Sequence, residues 1–133
     1  MSDNQAADIY LRKAGESLLT AENEYANGRY NSCANRCYYA CFQVAIAATI
    51  REGIRAGGGQ WAHTFVQSQF VGQVINRRHR YPSTLRSTPA ELQHLRQRAD
   101  YKTDLITQTE ANRGLRRCRE FVEAIRRGGG PRQ

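Results

Sequence analysis

Arginine, tyrosine, histidine and neighbouring acids are the side chains of this sequence that could grip an anionic group or move a proton. They concentrate in three stretches. In "NSCANRCYYACFQVAIAATI", residues 31–50, Arg36, Tyr39 and Gln43 interrupt an otherwise almost continuously apolar run. With Arg29 and Ser32 they are three or four residues apart, which on a helix makes one polar seam. In "WAHTFVQSQF", His63 follows an aromatic anchor, Trp61. In "LRQRADYKTD", Arg96, Arg98, Asp100, Tyr101 and Lys102 crowd one helix end. Arginine keeps its proton and serves as fixed charge and forked donor toward phosphate or carboxylate. Histidine titrates near neutral pH and is the natural proton acceptor. The chemistry open to this set is anion binding with a proton transfer. Arg36 and Arg98 are the electrostatic candidates, His63 the proton-transfer candidate, and Tyr39, Gln43, Asp100 and Tyr101 the binding candidates. Structural roles compete at each position: a solvated stripe for the seam, surface ion pairs and a packed tyrosine for the "RQRADY" segment.

Other chemistries are disfavoured. Cys33, Cys37 and Cys41 climb one helix a turn at a time, and no Cys–His cluster elsewhere faces them, so they read as small buried hydrophobes rather than metal ligands. No Cys–His pair offers a thiol nucleophile. Neither a metal nor a cofactor is expected. His79 and His94 read as solvated or structural.

The elements that must position these residues are helices. The 133 residues suit one domain with a real core. Residues 4–27 place Ile9, Leu11, Leu18, Leu19 and Tyr25 on an apolar stripe closed by "NG". A second helix runs from about Tyr30 to Glu52, followed by the flexible "GIRAGGGQ". A third starts near Trp61 and carries Phe65, Val66, Phe70, Val74 and Ile75. After "RRHRYPSTLRS", Thr88 as N-cap with Pro89 and Glu91 announces a fourth helix, and "TQTE" at 107–110 announces a fifth, with Leu115, Cys118, Val122 and Ile125 inward. The expectation is all-α: a single up-and-down bundle of about five helices over residues 1–127, with a disordered tail at 128–133.

Charge points to the partner class. The formal net charge is +8, and only Lys13 and Lys102 of the 20 basic residues are lysine. Residues 1–53 hold five basic and six acidic side chains, residues 54–133 fifteen and six, so the excess lies in the second half. An arginine-dominated excess favours nucleic acid ahead of membrane, although an arginine-rich coding bias gives the same count. The N-terminus is polar and lacks a leader-like apolar segment, and the long apolar run is broken by Arg36 and Gln43. No membrane association, a cytoplasmic location and free thiols are expected.

These stretches together resemble the HEPN domain. "NSCANRCYYACFQVA" is similar to its signature helix at Ala34, Asn35, Arg36, Tyr38 and Tyr39; "WAHTFVQSQF" and "LRQRADY" follow in the family's order, over about residues 8–126. The resemblance is nearest to the small stand-alone HEPN proteins often paired with minimal nucleotidyltransferases. It implies a helical bundle, a homodimer with the site in a cleft at the interface, and metal-independent ribonuclease activity in toxin–antitoxin or antiviral systems. The implied catalytic motif is arginine, four to six residues, then histidine. Here the nearest pairings, Arg55 with His63 and Arg86 with His94, are each separated by seven. The expected function is therefore an RNA-directed HEPN-like protein with weak or no intrinsic cleavage. The competing expectations are an active endoribonuclease toxin, or a protein-binding partner of a nucleotidyltransferase.

Overall fold

The computed structural model describes residues 1–128; the predicted disordered tail otherwise lies outside the described residues. Five helices are present and the described residues contain no strand: α1 Asp3–Ala26, α2 Tyr30–Arg51, α3 His63–Gln69, α4 Thr88–Tyr101 and α5 Gln108–Arg126. The all-α bundle of the sequence reading is what the chain forms.

Helix α1 starts at a capping box in which Ser2 accepts from the Gln5 amide and Gln5 returns the bond. It ends at Asn27, where Gly28 turns the chain at φ +76°, a conformation a Cβ would disfavour. The predicted stripe is corrected in part: Leu11, Leu18 and Tyr25 pack half-buried against the core. Ile9 and Leu19 are exposed, and the fully buried residues are Ala7, Ala14 and Ala21, spaced by seven. Small side chains let α1 lie close along α2, whose own buried face is rich in Cys and Ala. Size decided the packing, not greasiness.

Helix α2 is the hub, packed against α1, α3, α4 and α5. Cross-links fix the directions: Asn31 meets Ile106 and Arg51 meets Ile125, so α5 runs parallel to α2, whereas Asn35 meets Asp100, so α4 runs antiparallel. Helix α3 begins at His63 rather than Trp61 and widens into a π-helical stretch, Phe70–Arg77, which buries Phe70, Val74 and Ile75. Phe65 is only partly covered. Phe70 packs on Phe121 of α5 at 5.1 Å and on Tyr81 at 5.9 Å.

The two later N-termini behave differently. Thr107 and Glu110 form the full capping box that "TQTE" predicts. Thr88 does not cap. It is buried, Ser87 occupies the cap position without a side-chain bond, and Glu91 pairs instead with Arg117 at 3.3 Å. Where α4 crosses α5, Gly114 permits the approach: a Cβ there would lie 2.8 Å from Leu95 Cδ2. No helix among the described residues is long and apolar enough to cross a membrane.

Candidate functional site

The seam of α2, the last turns of α4 and the first residue of α3 converge on one face. Asn35 is the hinge of the cluster. Its Nδ2 donates to Asp100 Oδ2 at 2.9 Å, while its Oδ1 accepts from Arg36 Nε at 2.9 Å and Nη2 at 2.7 Å. Arg36 thus takes an amide oxygen where arginine usually takes a carboxylate, and no carboxylate pairs with it among the described residues. Its guanidinium lies 5.0 Å over the Tyr39 ring.

Arg96 reaches the same rings from α4. Its guanidinium carbon is 5.0 Å from the Tyr38 centroid, 5.7 Å from Tyr39 and 5.8 Å from Tyr101. The side chain is only 12% exposed, its one ionic contact is Asp100 at 3.4 Å, and its Nε is buried without an acceptor. Cation–π contact is a partial substitute for hydration, so this arginine is held but not saturated. Tyr101, at the outer edge, is 72% exposed. Where Asn35, Arg36 and Asp100 meet, a cleft of about 440 Å³ opens, lined also by Thr20, Glu24, Asn31 and Ser32.

His63 sits behind this ladder. Its ring stacks on Phe42 at 4.3 Å and lies near-parallel to Tyr38 at 5.3 Å, with the edge of Tyr39 at 6.1 Å. The Tyr38 hydroxyl bonds to His63 Nδ1. Burial pushes Tyr38 up to about 12, so its hydroxyl keeps its proton, and the imidazole tautomer sets which of the two groups donates. Burial, followed by the charge of Arg96, holds the imidazole below its ordinary value, so it is neutral. When Nδ1 accepts in this bond, the ring proton resides on Nε2. In that tautomer His63 offers a donor and has no free lone pair for a base.

Arg98 has a different task. It donates to Asp104 at 2.9 Å from Nε and 2.6 Å from Nη2, and to both oxygens of Glu110. Glu110 is also the capping-box acid of α5, and Arg98, then the Thr107 amide, hold its carboxyl down at about 2. Arg98 therefore buckles α4 to α5 with its donors spent. Gln43, placed with the seam by its spacing, turns to α1. Its amide lies 2.7 Å from Ser17 Oγ, and with nitrogen facing that hydroxyl it also donates to the Lys13 and Tyr39 carbonyls at 3.1 Å.

The structure thus brings together Arg36, Tyr39, His63, Asp100 and Tyr101, and leaves Arg98 and Gln43 apart from them. Arg96 and Asn35 are the members that spacing alone did not single out. A signal for Arg96 was present: it shares the inward face of α4 with Leu92, Leu95 and Ala99, so its charge had to be accommodated inside. Among the described residues no three His, Cys, Asp or Glu side chains converge as metal ligands.

A helical bundle with a polar cluster cut into its central helix defines a class, and the HEPN domain profile matches residues 7–128. The chain belongs to the HEPN family. The comparison with curated proteins found no match.

Proposed function

We propose that this chain is an RNA-directed HEPN protein, a component of a toxin–antitoxin or defence system, that binds single-stranded RNA and cleaves it weakly or not at all. The observation that carries the reading is the alternation Arg36–Tyr39–Arg96–Tyr101, two under-satisfied guanidiniums interleaved with two tyrosines and opening on an exposed edge. Guanidinium donors suit phosphate oxygens, and an exposed tyrosine offers a sequence-tolerant stacking face for a base. Weak cleavage follows from His63, whose Nδ1 is engaged by a tyrosine of raised pKa. Attack by a ribose 2′-hydroxyl on the adjacent phosphate needs a base for the hydroxyl proton, and guanidinium cannot serve.

A homodimer fits the same face. Leu105 is 74% exposed and lines a shallow groove with Asn31 and Ser32, contiguous with the cleft, so a two-fold partner laid there would cover apolar surface and double the arginine–tyrosine set. The test is a metal-free assay of RNA cleavage beside RNA binding, on wild type, Arg36→Ala and His63→Ala, with light scattering for the assembly. Salt-sensitive binding that Arg36→Ala weakens, with slow or absent cleavage, is the expected result. Rapid cleavage abolished by His63→Ala would replace it with an active ribonuclease. Absence of binding would leave a protein-only role beside a nucleotidyltransferase.

A further inference from the structure

A polyanion is captured by uncompensated charge, and the cleft has little of it. Arg36 shares its lining with Glu24 and Asp100, and Asp100 also pairs with Arg96. On α5, Arg117 pairs with Glu91 at 3.3 Å and Arg119 with Glu22 at 2.7 Å, while Arg113, Arg116 and Arg126 meet no carboxylate among the described residues. A further acid-free concentration of arginine lies away from both. Residues 76–86, "NRRHRYPSTLR", carry Arg77, Arg78, Arg80 and Arg86 and no Asp or Glu.

The carboxylate that meets this segment is Glu52, at the end of α2 and only 11% exposed. It lies 3.2 Å from Arg78 Nη1 and 2.9 Å from Arg80 Nε. Arg78 also caps α2 through the Glu52 carbonyl at 2.8 Å. One buried acid orders two guanidiniums and neutralises only one. Arg77 is exposed with no polar partner among the described residues, and Arg86 donates only to Asn76 Oδ1 at 3.2 Å. Within the run His79 adopts φ +53°, left-handed for a residue with a Cβ; its amide goes to Ile75 O and that of Arg80 to Val74 O, both at 3.0 Å. These two backbone donors are spent on ending the π-helical turn.

Resting on the RNA reading above, we propose that residues 76–86 form a second RNA contact outside the cleft, a phosphate-binding surface that supplies most of the charge attraction while the cleft supplies stacking. Glu52 and Arg36 are separated by about 24 Å of α2 axis and about 160° around it, so only a strand longer than that axial distance engages both. Pre-ordering by Glu52 lowers the side-chain entropy lost when phosphate binds.

The experiment is a salt titration of affinity for a single-stranded RNA of mixed sequence that spans both surfaces. It compares wild type, Arg77→Gln/Arg86→Gln, and the cleft variant Tyr101→Ala. Neither Arg77 nor Arg86 touches Glu52, so the double variant keeps the fold, which circular dichroism verifies. Each lost phosphate contact reduces the slope of log K against log salt by about 0.7, so the double variant should lose about 1.4. Tyr101→Ala should weaken binding at every salt concentration and leave the slope unchanged. Wild type that binds while the double variant keeps its slope overturns the second surface and leaves the cleft reading standing. Wild type that ignores RNA sinks both. Anionic phosphatidylserine vesicles captured through Arg77 and Arg86, with the RNA slope unaltered, would reassign the surface to a membrane and also overturn the proposal.

Discussion

Arg96 and Arg98 stand two residues apart on α4 and point to opposite sides of it. Arg98 is wrapped by Asp104 and Glu110, and every strong donor it has is used within the protein. Arg96 is more deeply buried, yet it has a single long contact to Asp100, an orphaned Nε and three aromatic faces. The better-bonded arginine is the one that holds the protein together. The less satisfied one, at the rim of a cleft, is the one with something left to give a ligand. Saturation, not charge or exposure, separates a fastening from a binding group.

The comparison breaks most sharply by exchanging the two roles. Arg96→Met should lower RNA affinity by about 30-fold, roughly 2 kcal/mol of stacking and charge contact, and Arg96→Lys should not restore it, because the flat fork is lost. Its effect on stability should stay within about 1 kcal/mol, since a poorly satisfied buried charge is replaced by apolar bulk. Arg98→Met should do the reverse, lowering the unfolding midpoint and leaving RNA affinity within about twofold. Fluorescence anisotropy and urea unfolding on the same preparations decide it, and equal losses of affinity from both variants would erase the distinction.

Smaller effects sharpen it. Tyr38→Phe removes the hydroxyl bonded to His63 Nδ1 and should cost about 1–2 kcal/mol in urea unfolding, with RNA affinity little changed. Glu110→Gln keeps the capping box, as Gln5 does on α1, and should cost less than about 1 kcal/mol through the half-exposed ion pair with Arg98. It should also alter the acid limb. The folded carboxyl titrates at about 2 against an ordinary 4.5, so its stabilisation is complete above 4.5 and is lost as pH falls toward 2. The variant should show a flatter stability profile across that window. The smallest effect concerns His63. Its folded pKa lies below the ordinary 6.5, so the unfolded chain takes up the proton first, and stability declines as pH falls below 6.5. An NMR titration should find the imidazole neutral at pH 6.5, and a titration at or above that value would remove the argument for its idle base.

Much of the fold was legible, for physical reasons that vary by element. "TQTE" gave the start of α5 because both capping groups are exposed and free to meet. "TPAE" misled because Thr88 is drawn into the core, beyond the information in a four-residue pattern. Ile9 and Leu19 misled because size was taken for inwardness, while the close seam between α1 and α2 admits only alanine-sized groups. Arg36 in an apolar helix announced the site, Tyr39 joined it by helical spacing, and Asp100 and Tyr101 through the crowding of polar groups in "LRQRADYKTD". Choosing between Arg96 and Arg98 needed to know which acids lie within reach, and Asp104 and Glu110 come near Arg98 only once α5 has folded back.

The four cysteines offer an experimental handle of another kind. Cys33, Cys37, Cys41 and Cys118 are free and wholly buried, with Cys33 and Cys37 sulfurs 4.0 Å apart on α2 and Cys118 touching the Cys37 carbonyl from α5. Their hydrogen bonds and burial push the Cys33 and Cys37 thiols up, and burial, then the neighbouring Cys37, does so for Cys41. Thiolate is the reactive form, so the folded chain presents almost none of it to an alkylating reagent. A thiol-reactive dye should therefore label this protein only when the bundle opens. Its labelling rate would serve as a stopwatch for breathing at the junction of α2 and α5, readable without any engineered probe.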